Sequence, residues 1–265
     1  MTDVLAKFRL VGTGGVLAYR ALFNWARLPV FIGTLLAEPV TQLVFFVYLG
    51  RQLGVANDTF FIVGNAVLAA SKAGVYGGTM AVGNERRFGT LGNVLLSPRS
   101  RSAVFLGRAL PYAANGLFVA VFTLTVGSLL FGLDLPVQSL PGIAAALVIA
   151  SLTCAFFGLT LGALGLRLLD VWLVSNIAYV LLLILTGVNV PSETLPGWVQ
   201  AIGDFVPVTH AAEAARLAAA GADFETLAGP LALEAAVCVG FAVLSALLLH
   251  VFEKAGRTSG SLETI

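Results

Sequence analysis

Long apolar stretches alternate with short polar gaps along this chain, at about residues 29–50, 58–82, 109–131, 139–166, 171–190 and 228–252. A bilayer hydrocarbon core about 30 Å thick takes roughly 20 helical residues to cross at about 1.5 Å each, and the stretches match that length. None alternates between apolar and polar positions. Each is also longer and more continuously apolar than the roughly ten-residue segments of an outer-membrane barrel. Lipid offers no partner to an open backbone group, so helices are the expected structure. The pattern predicts an all-α integral membrane protein with six transmembrane helices, read as a single domain over residues 1–265 with a short tail at 253–265.

Two gaps carry structure of their own. Before the first span, residues 7–27 mix Phe8, Leu10, Val11, Leu17, Tyr19, Leu22, Phe23 and Trp25 with basic residues, as expected of an interfacial helix in the cytoplasmic headgroup layer within residues 1–28. It positions the first span, or it is only a basic anchor. Arg20 and Arg27 interrupt any apolar core of a signal peptide, and no such peptide is read. Between the fifth and sixth spans lies a gap too long for a simple connection. Leu195, Trp198, Val199 and Ile202 give it an apolar helical face, which suits short helices lying on or in the outer leaflet or a small cap over the bundle.

Composition agrees: 58% of residues are hydrophobic, only 11% are charged and mean hydropathy is +0.94, far from a soluble domain of this length. The net charge of +1 hides an asymmetry. Lys7, Arg9, Arg20 and Arg27 precede the first span, Arg86, Arg87, Arg99, Arg101 and Arg108 follow the second, Arg167 follows the fourth, and Lys254 and Arg257 follow the sixth. Arg51 and Arg216 fall on the other side, where Asp58, Asp134, Glu193, Asp204, Glu213, Asp223 and Glu225 gather. Basic short loops stay in the cytoplasm, so both termini are expected inside a plasma (bacterial inner) membrane.

Chemistry of bond making finds little support. Cys154 and Cys238 fall mid-span, where small side chains pack and neither a disulfide nor a metal site is expected. His210 and His250 lie on opposite sides of this topology, so no metal-ligand set or catalytic triad assembles. Lys7, Lys72 and Lys254 are the lysines, and none sits in a phosphate-binding G-x-x-x-x-G-K-[ST] loop. Gly12, Gly14 and Gly15 miss the dinucleotide spacing. If ATP drives this protein, another chain binds the ATP and its Mg, and this chain needs no cofactor.

Lys72 stands out because it lies about 15 Å from the cytoplasmic end of its span, too deep to reach water easily. An unpaired charge there costs about 3 kcal/mol. Glu38 in the first span sits at nearly the same depth, so the two are expected to meet or to share a polar cavity. Such a pair fixes helix register or touches cargo. With Gln42 and Asn189 they are the transport-pathway candidates; Asn65, Asn115 and Asn176 are amides expected to bond across helices. Gly74 with Gly78, and Gly158 with Gly162, have the small-x-x-x-small spacing of close helix contacts.

The cytoplasmic gap from Gly83 to Arg101 is the most informative segment. Phe88, Leu91 and Leu95 form one face of a short helix whose start carries Glu85, Arg86 and Arg87. Such a helix suits an apolar groove on a partner, although a solvated basic run obeying the positive-inside rule gives the same pattern. The run from Asn84 to Pro98, with Glu85, Arg86, Gly89, Thr90, Leu91, Leu95 and Pro98 in place, resembles the E-R-x-x-G-T-L-x-x-L-L-x-x-P segment of ABC-2 type transporter permeases. A later run also resembles that family's block before the last span: Leu195, Pro196, Trp198 and Gln200, then Pro207, Thr209, His210, Glu213 and Arg216. Glu38-Pro39 fits the branch that exports antibiotics and lipo-oligosaccharides, and Val208 departs from the usual Leu.

The resemblance implies a coupling helix at Glu85 to Pro98, short re-entrant helices before the last span, and a permease homodimer or pseudo-dimer on two copies of an ABC ATPase subunit. It implies export of an amphiphilic cargo such as an antibiotic, a lipid-linked sugar or a peptide, and so a link to drug resistance. A proton-coupled secondary transporter using Glu38 and Lys72 is the alternative from another class. A membrane scaffold that recruits a soluble partner is a third.

Overall fold

The computed structural model describes residues 12–15, 32–87, 89, 101–165 and 171–259, and among these every regular element is helical. The first apolar stretch opens as a π-helical turn, Ile32–Ala37, and continues as α1, Glu38–Leu53. Pro39 explains the join. It has no N–H to give and its ring crowds the carbonyl one turn back, so the chain widens locally instead of continuing a regular α-helix. Gly54, at φ 63, ends α1 in the left-handed conformation, its N–H returning to the Gly50 carbonyl.

Asn57 then starts α2, Asp58–Arg87, its Oδ1 accepting the Phe60 N–H at 2.9 Å. Arg51 and Asp58 pair across the turn, the Arg51 Nε lying 3.0 Å from Oδ1. α3 is Arg101–Phe131, α4 is Leu140–Gly165 and α5 is Val171–Leu185. A 3-10 turn at Ser192–Thr194 leads to α6, Gly197–Gly203, and α7, Thr209–Ala219; α8, Phe224–Ser259, closes the described chain.

Asp58–Gly83, Ala109–Phe131, Val137–Gly165 and Phe224–Val251 are each long and apolar enough to cross a bilayer, and Val171–Leu185 is a shorter apolar helix. Several boundaries differ from the apolar stretches. The fifth helix stops at Leu185 and not near 190, because Gly187 turns left-handed at φ 65. α2 runs on to Arg87, α3 begins at Arg101 and α8 extends through Ser259, past the start of the expected tail. Hydropathy marks where lipid is tolerated, whereas Glu and Arg are good helix formers that prolong a helix beyond it. Of the interfacial helix, only the helical residues 12–15 fall within the described part.

α2 is the centre of the bundle: 83% of its apolar window is buried against protein, compared with 11% for α8 at the periphery. Its main partner is α4, and the two glycine pairs face each other. A Cβ at Gly158 would lie 2.5 Å from the Gly74 carbonyl and 2.6 Å from that of Val75, and one at Gly78 would lie 2.6 Å from the Ala155 carbonyl. In lipid, apolar surface gains little by leaving the hydrocarbon for protein, so close packing of this kind has to hold helices together. The Thr79 hydroxyl, 3.2 Å from the Gly158 carbonyl, crosses the same contact.

Candidate functional site

The opposite face of α2 is polar. Asn65, Lys72 and Tyr76 recur at i, i+7 and i+11, one stripe about 16 Å long. α1 brings Glu38 and Gln42, one turn apart, against this stripe, and α5 brings Asn176 and Tyr179. The Tyr179 hydroxyl donates to Gln42 Oε1 at 2.9 Å, Gln42 Nε2 donates to Asn65 Oδ1 at 3.1 Å, and Asn65 Nδ2 donates to Asn189 Oδ1 at 2.9 Å. Every donor in this ladder points the same way, so each bond polarises the next.

Lys72 forms an ion pair with Glu38 and stands over the Tyr179 ring, 5.7 Å from its centroid. The two matching depths read from the sequence thus meet. The Lys72 side chain is 18% exposed and that of Glu38 is 45% exposed, so the pair is open on the α1 side. Beside it the Tyr76 hydroxyl donates to Asn176 Oδ1 at 2.6 Å, and Tyr76 lies within 6.3 Å of Tyr179 and 6.0 Å of Trp172, centroid to centroid. This surface offers hydrogen bonds, aromatic faces and an ion pair that is neutral overall.

The block between α5 and α8 is bound together by its own motif residues. Gln200 Nε2 donates to the Leu195 carbonyl at 2.8 Å, and the Thr209 hydroxyl to the Gly203 carbonyl at 2.8 Å. His210 is buried, with Nε2 3.0 Å from the Asp204 carbonyl; a carbonyl only accepts, so Nε2 carries the proton. Glu213 lies 4.0 Å from the other ring nitrogen, while Pro207 is buried and Pro196 exposed. The apolar face expected around α6 divides: Val199 packs inward, Leu195 is half-buried, and Trp198 and Ile202 are exposed.

Arg216, near the end of α7, donates to the carbonyls of Phe60 at 3.3 Å, Gly187 at 3.2 Å and Val188 at 2.8 Å, with its guanidinium 3.6 Å above the Phe60 ring. Burial pushes its pKa down to about 10, which leaves it cationic at neutral pH. Glu234 was not among the sequence candidates. It is a lone carboxylate inside the sixth apolar stretch, the criterion that marked Lys72, and it is fully buried with both oxygens taken by backbone N–H groups of Val208 and Ala211.

The family model described as ABC-2 type transporter matches residues 15–219. This chain belongs to the ABC-2 type transporter family. It is similar to the "Probable multidrug ABC transporter permease YbhR" of Escherichia coli (strain K12), 26% identical over 159 residues, or 57% of this chain. That match spans 41% of the E. coli protein, less than half its length. It is also similar to the "Daunorubicin resistance ABC transporter permease protein DrrB1" of Streptomyces coeruleorubidus, 27% identical over 203 residues, covering 75% of this chain and 71% of that one.

Within this ABC-2 type chain, the expected coupling segment is described only in part. Glu85, Arg86 and Arg87 form the last turn of α2, and Gly89 is exposed at φ 67. Phe88, Thr90, Leu91, Leu95 and Pro98 lie outside the described residues. The structure brings Glu38, Gln42, Lys72 and Asn189 onto one ladder through Asn65 and Tyr179, and places the block from Pro196 to Arg216 at the end of the bundle nearer Asn189.

Proposed function

We propose that this chain is the membrane-spanning permease subunit of an ATP-driven ABC exporter. It crosses the plasma membrane six times, with both termini in the cytoplasm. It works as a homodimer on two copies of an ATPase subunit that bind the ATP and Mg, and it carries out no bond chemistry itself. The observation that carries this reading is the family match over residues 15–219. The basic gap that begins at Glu85 is the docking segment for the ATPase, and α6 and α7 form the re-entrant block at the outer leaflet.

The cargo is an amphiphile: an antibiotic, a lipid-linked sugar or a peptide. An open ion pair, aligned amides and tyrosine faces on one side of α2 suit a molecule with a compact polar group on an apolar body. Glu38, Gln42, Lys72 and Asn189 contact that group as it passes. The names of the relatives, one a multidrug and one a daunorubicin-resistance permease, support export and not import.

The test is to co-express the chain with the ATPase encoded beside it, purify the complex into lipid and measure ATP hydrolysis for wild type and for Gly89→Arg. Gly89 sits at φ 67, where an added Cβ meets nothing within 4 Å among the described residues, so Arg adds bulk and backbone strain at the docking segment. Co-purification, with hydrolysis that the substitution abolishes, is the expected result. A permease that binds no ATPase, and whose flux follows a pH gradient, would establish the proton-coupled alternative through Glu38 and Lys72.

A further inference from the structure

α7 is held at its first turn by a carboxylate from another helix and at its last turn by its own guanidinium. Val208, just before the helix, is the non-glycine residue with positive φ among those described, at φ 84 and ψ −30. A β-branched residue is strained there and stays only if its surroundings hold it. No side chain of its own segment caps α7. Glu234 of α8 does so instead, Oε1 accepting the Val208 N–H at 3.1 Å and Oε2 the Ala211 N–H at 3.2 Å. These are otherwise orphan donors at the positive end of the helix, so the carboxylate satisfies both charge and hydrogen bonding while fully buried.

Two turns on, Arg216 is fastened to carbonyls of α2 and of the turn that follows α5. Gly64 leaves it the space: a Cβ there would lie 2.5 Å from Arg216 Nη2. One short helix, packed along α4, therefore joins peripheral α8 to the central α2 and to the turn after α5, with one charged joint at each end.

We infer that α7 is a strut in series between α8 and the α2–α5 pair, and that Glu234 is its positioning residue, holding Val208 in the left-handed conformation that aims the helix. The strut makes this end of the bundle move as one body; its use in transport rests on the permease reading above. Glu234→Gln keeps the size of the side chain but has one acceptor oxygen, and its amide N–H groups confront a backbone N–H. Joints in series have a further property: with either one broken, the strut no longer ties its two sides together, while the other joint still holds.

The test uses the full chain in lipid nanodiscs, with Cys154 and Cys238 replaced by alanine. Pairs of nitroxide labels at positions 213 and 225 report α7 against α8, and pairs at 213 and 193 report α7 against the turn after α5. Wild type is expected to give two narrow distance distributions. Glu234→Gln should broaden only the first pair and Arg216→Gln only the second. In the complex with the ATPase, each single variant should lower coupled hydrolysis by about fivefold, and the double variant should be no worse than the lower single one.

An unchanged 213–225 distribution in Glu234→Gln overturns the inference, and so do losses that multiply in the double variant. If Glu234→Gln does not fold, Glu234→Asp is read with the same labels. Its shorter reach should broaden the 213–225 pair alone, and broadening of neither pair or of both overturns the inference. Should wild type bind no ATPase, the permease reading fails while the label distances still decide whether α7 is a strut.

Discussion

The two faces of α2 are built on opposite principles. Toward α4, Gly74 and Gly78 meet Gly158 and Gly162 with backbone against backbone, and the contact has no room for a single added carbon. Toward α1 and α5, long polar side chains bridge a wider gap, and the Lys72–Glu38 pair at its edge remains partly open. The first face works through the absence of side chains, so it cannot adjust without moving a helix. The second works through rotatable groups that can exchange partners. A helix with one fixed and one adjustable face can hold its place in the bundle while its other side handles a polar guest.

The sharpest way to break this contrast is on the glycine face. Gly158→Leu places a side chain where even Cβ is 2.5 Å from a carbonyl, and is expected to cost about 3 kcal/mol or more and to abolish the monodisperse peak in detergent gel filtration. On the polar face, Lys72→Met strands Glu38. Because that carboxylate is 45% exposed, the expected loss is smaller than for a fully buried pair, about 1–2 kcal/mol in thermal unfolding. Adding Glu38→Gln should recover part of it, and a double-variant loss equal to the sum of the Lys72→Met and Glu38→Gln losses would show that the pair contributes nothing to stability.

Asn65→Leu removes the hub that joins Gln42 to Asn189 and is expected to cost about 1 kcal/mol, the scale of hydrogen bonds between membrane helices. A loss as large as that of Gly158→Leu would mean that the two faces do not differ in tolerance. The smallest effect is expected at Gly240 of α8, where an added Cβ meets nothing within 4 Å. Gly240→Ala should leave the stability within about 0.5 kcal/mol of wild type, and so separates glycines that pack from one that only lies on the surface.

The helices were readable from the chain because hydropathy is a local property, and Lys72 with Glu38 because depth in a span is simple arithmetic. Gly74, Gly78, Gly158 and Gly162 could be recognised as packing positions. That one pair faces the other depends on which helices neighbour each other, and no spacing within a helix encodes that. The hold on α7 was out of reach for a different reason. Arg216 binds backbone carbonyls, among them that of Phe60, 156 residues away, and carbonyls carry no residue identity. Val208 gives no sign of its left-handed backbone, since valine is the residue least expected there. The fifth stretch read too long because a glycine ended the helix while the residues after it stayed apolar.

The space beneath Arg216 has an evolutionary consequence. Position 64 has no side chain and position 216 has a long one that fills the vacancy, so neither can change alone without either a collision or an unfilled hollow. Alanine at 64 demands a shorter neighbour at 216 and a small shift of Val188, whose carbonyl would lie 3.1 Å from the new Cβ. The two sites, 152 positions apart by their numbers, should therefore drift together in descendants of this chain, as a single inherited character.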